Sequence, residues 1–348
     1  MNARFDNDYL AGGHSALLQR LVASNGEETA GYGLDPYSDA ARAHIRAAVG
    51  REDVAVHFLV GGTQTNCTVI TAALRPHQAA LAARTGHIVD HEAGAIEARG
   101  HRAIGLASTD GKISAAALAA HCAAYAASPI PEHIVQPGLV YLSQPTELGT
   151  VYQRAELAEL AALCRAYGLS LYIDGARLAY ALDPAISDID LPTLAEYADV
   201  FSIGGTKCGA LFGEAVVIVN PALQPHFRTL IKQQGGLLAK GRLLGLQFEE
   251  LFRDGLYFQI GREAVAAADR IRAAFRTRGV PLAVDSPTNL LFPLLPPAQA
   301  EYFHREFGFS IWDWAPDSEG RLFTRCCTTW STTPAAVDSL LTAIAERC

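Results

Sequence analysis

Asp199-Val-Phe-Ser-Ile-Gly-Gly-Thr-Lys-Cys-Gly-Ala-Leu-Phe-Gly213 is the stretch from which the rest of this chain is read. The apolar run Val200 to Ile203 predicts a buried strand. It stops at Gly204-Gly205-Thr206-Lys207, and a second apolar strand, Glu214-Ala-Val-Val-Ile-Val-Asn220, follows at once. One lysine therefore sits at a strand tip, inside a glycine-rich turn. A partly desolvated amine there has a depressed pKa and can attack an aldehyde. The segment alone favours a solvated loop lysine. A second strand end, Leu169-Ser-Leu-Tyr-Ile-Asp-Gly-Ala-Arg177, shifts that balance, because it delivers Asp174 and Arg177.

Working outward, Val54 to Val60 reads as a strand that empties into Gly61-Gly62-Thr63-Gln-Thr-Asn66, where a helical pattern towards Leu74 begins. Strand, glycine turn and helix start together present backbone N–H groups to a phosphate. The stretch has neither the Gly-Lys-Ser/Thr of a Walker loop nor a Gly-x-Gly-x-x-Gly fingerprint, so taken singly it also fits a tight turn. Further helices are expected at Ser15 to Asn25, from a Ser38 cap to Val49, at Ile113 to Ala127, Ala155 to Tyr167 and Leu191 to Tyr197. Leu139 to Ser143 is a strand.

Strands alternating with helices predict an α/β fold with a doubly wound, mostly parallel sheet, seven strands in type. Sites in such sheets form at the carboxyl ends of strands. Gly62-Thr63, Asp174-Arg177 and Lys207 all fall at those ends. After about residue 221 the texture changes. Residues 237–252 read as a long helix with two embedded glycines, Gln259 to Arg278 as another, and a proline-rich α+β stretch follows. The expected organisation is an N-terminal segment 1–30, a large domain 31–236 and a smaller C-terminal domain 237–348 that includes the connecting helix.

The composition excludes several function classes. The chain has 348 residues, 18% of them charged, with a net charge of −8, so nucleic acid is not an expected partner. No run of about 18 apolar residues is present to span a membrane. Seven cysteines form no Cys-x-x-Cys pair, which suits a reducing, cytoplasmic setting. His87 and His91 are four apart, so on a helix they share a face. Their spacing is not His-Glu-x-x-His and no third ligand is evident, so no metal is expected and core or ring-stacking roles are favoured. Trp312, Trp314 and Trp330 read as packing residues.

Together these parts meet the duties a protein has towards pyridoxal phosphate: an amine for a Schiff base, a phosphate cradle, and a carboxylate for a ring nitrogen. The sequence resembles the pyridoxal-phosphate-dependent threonine aldolases, grouped with the β-eliminating lyases, of the aspartate-aminotransferase-like fold. The resemblance rests on Gly31-Tyr-Gly-Leu-Asp-Pro, Val60-Gly-Gly-Thr-Gln-Thr-Asn, Thr85-Gly-His-Ile with Glu92-Ala-Gly-Ala, Thr146-Glu-Leu-Gly-Thr, Tyr172-Ile-Asp-Gly-Ala-Arg-Leu, Ile203-Gly-Gly-Thr-Lys, Lys240-Gly-Arg, and Arg325 near Thr328.

It implies that Lys207 holds the cofactor, that Asp174 pairs with its ring nitrogen, and that Gly62, Thr63 and Thr206 hold its phosphate. His87 would stack on the ring. Arg177 would border cofactor and substrate, and with Arg325 would face the substrate carboxylate. Asn7 stands where many relatives have serine near that carboxylate. Tyr32 and Arg242 would reach a neighbouring subunit's site, so a homodimer or homotetramer with shared sites is implied. The implied reaction splits a β-hydroxy-α-amino acid, with His87, His91 or a water they hold as base. A β-eliminating lyase and a non-catalytic binding protein of the same fold are the alternatives.

Overall fold

The computed structural model describes residues 4–313 and 315–348; Trp314 lies outside them. Seven strands form the central sheet: β1 (Ala55–Leu59), β2 (Gln78–Ala83), β3 (Arg102–Leu106), β4 (Gln136–Ser143), β5 (Ser170–Asp174), β6 (Val200–Gly204) and β7 (Glu214–Ile218). Their order is β1-β7-β6-β5-β4-β2-β3. Pairings from β6 through β5, β4 and β2 to β3 are parallel, and β7 runs antiparallel to both neighbours. The link from β6 to β7 is too short for a crossover, which takes a dozen or more residues, so the chain must double back.

Side-chain alternation splits the sheet between two cores. Val140, Leu142, Leu171, Ile173, Phe201, Ile203, Ala215 and Val217 point into one. Leu139, Tyr141, Tyr172, Val200, Val216 and Ile218 point into the other. Both faces are covered, which is why these strands read as continuous apolar runs. The helix Gly62–Ala73 covers the second face. The first is covered by the helices Pro36–Val49, Ala115–Ala126, Arg154–Tyr167 and Arg242–Arg253.

A second sheet, β8 (Leu290–Leu291), β9 (Leu294–Leu295), β10 (Ser310–Asp313) and β11 (Leu322–Cys327), has the order β10-β11-β8, with β9 also paired to β11. It packs with the helices Pro297–Phe307 and Pro334–Arg347 and with the later half of Leu256–Thr277 around a third core. The N-terminal segment joins this unit: Phe5 N–H donates to the Phe307 carbonyl at 2.8 Å and the Phe5 carbonyl accepts from Cys327 N–H at 2.8 Å. Asp8 is thereby carried to the carboxyl end of β5, where it meets Arg177.

Two local expectations are corrected, and two strands lie outside what the sequence reading placed. The helix over 36–49 is capped by Asp35, whose carboxylate accepts from Ser38 N–H at 2.9 Å and from its hydroxyl at 2.8 Å. Pro36 supplies the preset φ of the first helical position. Residues 237–241 are not helical, and the helix begins at Arg242. Strands β2 and β3 carry no strong strand signal. Gln-Ala-Ala-Leu-Ala-Ala has high helix propensity, which burial between two strands overrides.

Candidate active site

The lysine turn is built by close backbone approach. A Cβ on Gly204 would collide with the Ala176 backbone, and one on Gly205 would lie 2.7 Å from the Gly213 carbonyl oxygen. Glycines at both places let the ends of β5, β6 and β7 converge. Gly205 and Thr206 N–H both donate to the Gly213 carbonyl, at 3.0 and 3.1 Å. The Tyr180 hydroxyl donates to the Lys207 carbonyl at 2.6 Å. Burial, reinforced by the Arg177 guanidinium, pushes the Lys207 amine below its ordinary range.

Asp174 ends β5 on the same face as Tyr172, towards the helix Gly62–Ala73. Its Oδ2 accepts from the Tyr141 hydroxyl at 2.6 Å and from Asn66 Nδ2 at 3.2 Å. Its Oδ1 accepts from Ala176 N–H at 2.9 Å and from the Ser202 hydroxyl at 3.3 Å. Four donors fix this carboxylate at the floor of a cavity of about 230 Å³, which Lys207, His87, Gly62, Thr63 and Thr206 also line.

Gly61 is the N-cap of the helix Gly62–Ala73 and supplies no side-chain acceptor. A Cβ at Gly61 or Gly62 would meet nothing within 4 Å. The first N–H groups of a helix have no partner within it, so this open cradle faces the cavity with donors and a positive dipole end.

His87 begins a short helical turn, His87–Asp90. Its Nδ1 lies 2.8 Å from Glu92 Oε1, to which Asn66 Nδ2 also donates at 2.6 Å. The Tyr172 hydroxyl donates to Asn66 Oδ1 at 2.7 Å. A continuous chain thus runs from His87 through Glu92 and Asn66 to Asp174. The His91 ring stands 5.8 Å from that of His87.

A second cavity, of about 360 Å³, shares Lys207, His87 and Arg177 with the first and adds Arg325, Asn7 and Tyr9. Arg325 donates to Asn7 Oδ1 at 2.7 Å and to the Asp6 carbonyl at 2.9 Å, and its guanidinium lies 5.0 Å from the Trp312 ring centre. Its Nε is buried without a partner. Arg177 is held by both oxygens of buried Asp8, at 2.6 and 3.0 Å.

The structure therefore brings together Lys207, Asp174, His87, Gly62, Thr63, Thr206, Arg177, Arg325 and Asn7. Tyr32 and Arg242 line neither of these cavities. Arg242 donates to the Ser24 and Glu27 carbonyls, and Tyr32 sits under Lys232. Residues to which the sequence reading gave no role also converge here: Asp8, Asn66, Tyr141, Glu147 and Glu214. Glu147 and Asn66 lay inside the quoted motifs, so their position was on view. Nothing local marked Asp8, Tyr141 or Glu214.

Cradle, carboxylate and depressed amine around one cavity fit pyridoxal phosphate at three separate points. The family described as beta-eliminating lyase matches residues 5–285. The chain belongs to that family. Like the family, it is a pyridoxal-phosphate-dependent lyase.

Family relatives include a low specificity L-threonine aldolase of Pseudomonas sp., 30% identical over 78% of this chain and 75% of the relative. One of Pseudomonas aeruginosa is 32% identical over the same shares, 78% and 75%. Among solved structures, threonine aldolase of Leishmania major superposes with a TM-score of 0.95 at 40% identity, covering 99% of both chains. A histidinol-phosphate aminotransferase-like structure from Erwinia carotovora superposes at 0.71 with 14% identity, over 99% of this chain and 95% of that one, and shows the shared fold alone.

Proposed function

We propose that this lyase cleaves the Cα–Cβ bond of a β-hydroxy-α-amino acid, with L-threonine and L-allo-threonine giving glycine and acetaldehyde. The observation that carries this reading is the meeting of the two cavities at Lys207 and Arg177, with Arg325 in the outer one. The names borne by the Pseudomonas and Leishmania relatives point the same way. When bound, pyridoxal phosphate supplies the electron sink for the bond pair released at Cα.

The chain's own residues supply position and charge. Gly62 and Thr63, with Thr206, hold the phosphate at the helix start. Lys207 would hold the cofactor, and its depressed pKa favours the neutral, nucleophilic form. Asp174 pairs with the ring nitrogen. His87, fixed by Glu92, would lie against the ring. Arg325 takes the substrate carboxylate, because it lines the outer cavity and a planar guanidinium matches a carboxylate in two bonds. Arg177, gripped by Asp8, stands beside it. A clamped carboxylate fixes which Cα bond stands perpendicular to the ring, and that choice selects cleavage over other outcomes.

We take the working unit to be a homodimer or homotetramer in the cytoplasm. Tyr32 keeps a positive φ of 60° while 44% exposed, and Arg242 lines a separate cavity of about 660 Å³. Both features suit contacts with a neighbouring subunit. The cysteines are free and six are buried, which fits a reducing compartment. Among the described residues no helix is long and apolar enough to cross a membrane.

Incubation with threonine, allo-threonine, phenylserine and serine tests the reaction. Aldehyde plus glycine supports cleavage. Keto acid plus ammonia instead assigns β-elimination, the reading that the family's description favours. Lys207→Ala is expected to lose turnover and the visible absorbance of bound cofactor together.

A further inference from the structure

Glu147 belongs to neither the cofactor cradle nor the arginine pair, yet among the described residues it is the acidic side chain that lines both cavities. It sits in the turn after β4, which is closed by Gly149 N–H to the Thr146 carbonyl at 2.8 Å and Thr146 N–H to the Thr150 carbonyl at 2.9 Å. Its Oε1 accepts from the Ser143 hydroxyl at 2.7 Å and from His87 N–H at 2.9 Å. The carboxyl is thus aimed by two fixed donors. Lys207, Arg177, Arg325, His87 and His91 face the same outer space, and Asp174 lies deeper in the inner one. His87, held at Nδ1 by Glu92, keeps Nε2 able to accept a proton and is the rival base.

We propose that Glu147 is the general base that removes the β-hydroxyl proton during cleavage, an assignment that rests on the aldolase reading above. A substrate with its amine at Lys207 and its carboxylate at the arginines must place its β-substituent in the space Glu147 borders. The Glu147 carboxylate takes the hydroxyl proton. The O–H bond pair becomes the second bond of the aldehyde carbonyl, and the Cα–Cβ pair stays with Cα, where the bound cofactor would supply the electron sink. Cα then gains one proton to become glycine, so the proton lost from oxygen balances the proton gained at carbon. Burial raises the Glu147 carboxyl above its ordinary range, which makes its carboxylate a stronger base.

The test separates this role from a positional one. Removing the α-proton of glycine needs the cofactor and the carboxylate clamp but no β-hydroxyl base. With cofactor-loaded Glu147→Gln, threonine cleavage should fall by roughly 10²–10⁴-fold in kcat, the usual reach of general base catalysis. Glycine α-hydrogen exchange in D2O and the cofactor absorbance should stay at wild-type levels. The acid limb of the cleavage pH profile should vanish, because it reports deprotonation of Glu147. Cleavage retained within tenfold would overturn the assignment. So would cleavage and exchange falling together, since that marks a residue that merely supports the His87 turn. A wild-type enzyme that exchanges glycine but cleaves no β-hydroxy amino acid would remove the aldolase reading, and this role with it.

Discussion

Asp8 and Arg177 form a two-point ion pair, with Nε to Oδ2 at 2.6 Å and the terminal nitrogen to Oδ1 at 3.0 Å, across 169 residues of sequence. Asn289 adds a third bond to Asp8 at 3.1 Å. Burial alone would raise the Asp8 carboxyl, but Arg177 and Lys207 outweigh it and hold the group below its ordinary 3.8. A depressed carboxyl contributes stability that is present above the unfolded value and lost as pH falls through the folded one.

Asp8→Ala leaves Arg177 buried without its partner, a change that costs about 3–5 kcal/mol. Urea unfolding at neutral pH should show that loss. The difference from wild type should shrink below pH 3.8. The KM for the amino acid should also rise, because Arg177 loses its fixed orientation. An unchanged midpoint and KM would show that the pair contributes nothing.

Asp174→Asn preserves the shape of the carboxylate and most of its four hydrogen bonds but removes the charge. Cofactor should still bind and colour the protein. Turnover should fall by roughly 10²–10³-fold, as when one preorganised electrostatic contact is deleted. Near-normal kcat in a fully loaded variant would contradict the pairing of Asp174 with the ring nitrogen. Tyr141→Phe, which removes the 2.6 Å donor together with a 3.4 Å acceptor for the Ser143 hydroxyl, should move the same way by less.

Glu214 gives a pH dependence of opposite sign to that of Asp8. Burial pushes its carboxyl from the ordinary 4.5 up to about 8, and its Oε2 accepts from Gly205 N–H at 3.2 Å in the lysine turn. A raised carboxyl contributes stability that is complete below 4.5 and is lost as pH rises through about 8. Melting temperature followed against pH should therefore fall across that window in wild type more than in Glu214→Gln. Parallel curves would show that Glu214 does not titrate there.

Gly245→Ala tests the seam between two helices. A Cβ at Gly245 would lie 2.5 Å from Ser38 Cα and 2.7 Å from Ser38 N, backbone atoms that cannot step aside. Overpacking of this kind costs about 1–3 kcal/mol, despite the gain in helix propensity. A variant as stable as wild type would mean that the two helices separate at no cost.

Much of the site was legible locally. Lys207, Asp174 and the Gly61-Gly62 turn each sit where an apolar run stops, and a strand end announces itself by the residues that break it. The two glycines at 241 and 245 were also visible. Their meaning was not, because one precedes the helix and the other serves contact with Ser38. Alternation of strands with helices was enough to predict the parallel sheet, although the alanine-rich β2 carried the propensity of a helix.

The sequence by itself determined the strands and helices that carry the site, though not β2 and β3, and the residues at the strand ends, because backbone preference and side-chain period act over a few residues. Only the tertiary structure decided that Asp8 grips Arg177, that Asn66 joins Glu92 to Asp174, and that Glu147 borders both cavities. Those contacts join segments up to 169 residues apart, and a pairing that closes so long a loop depends on how layers pack rather than on any local signal.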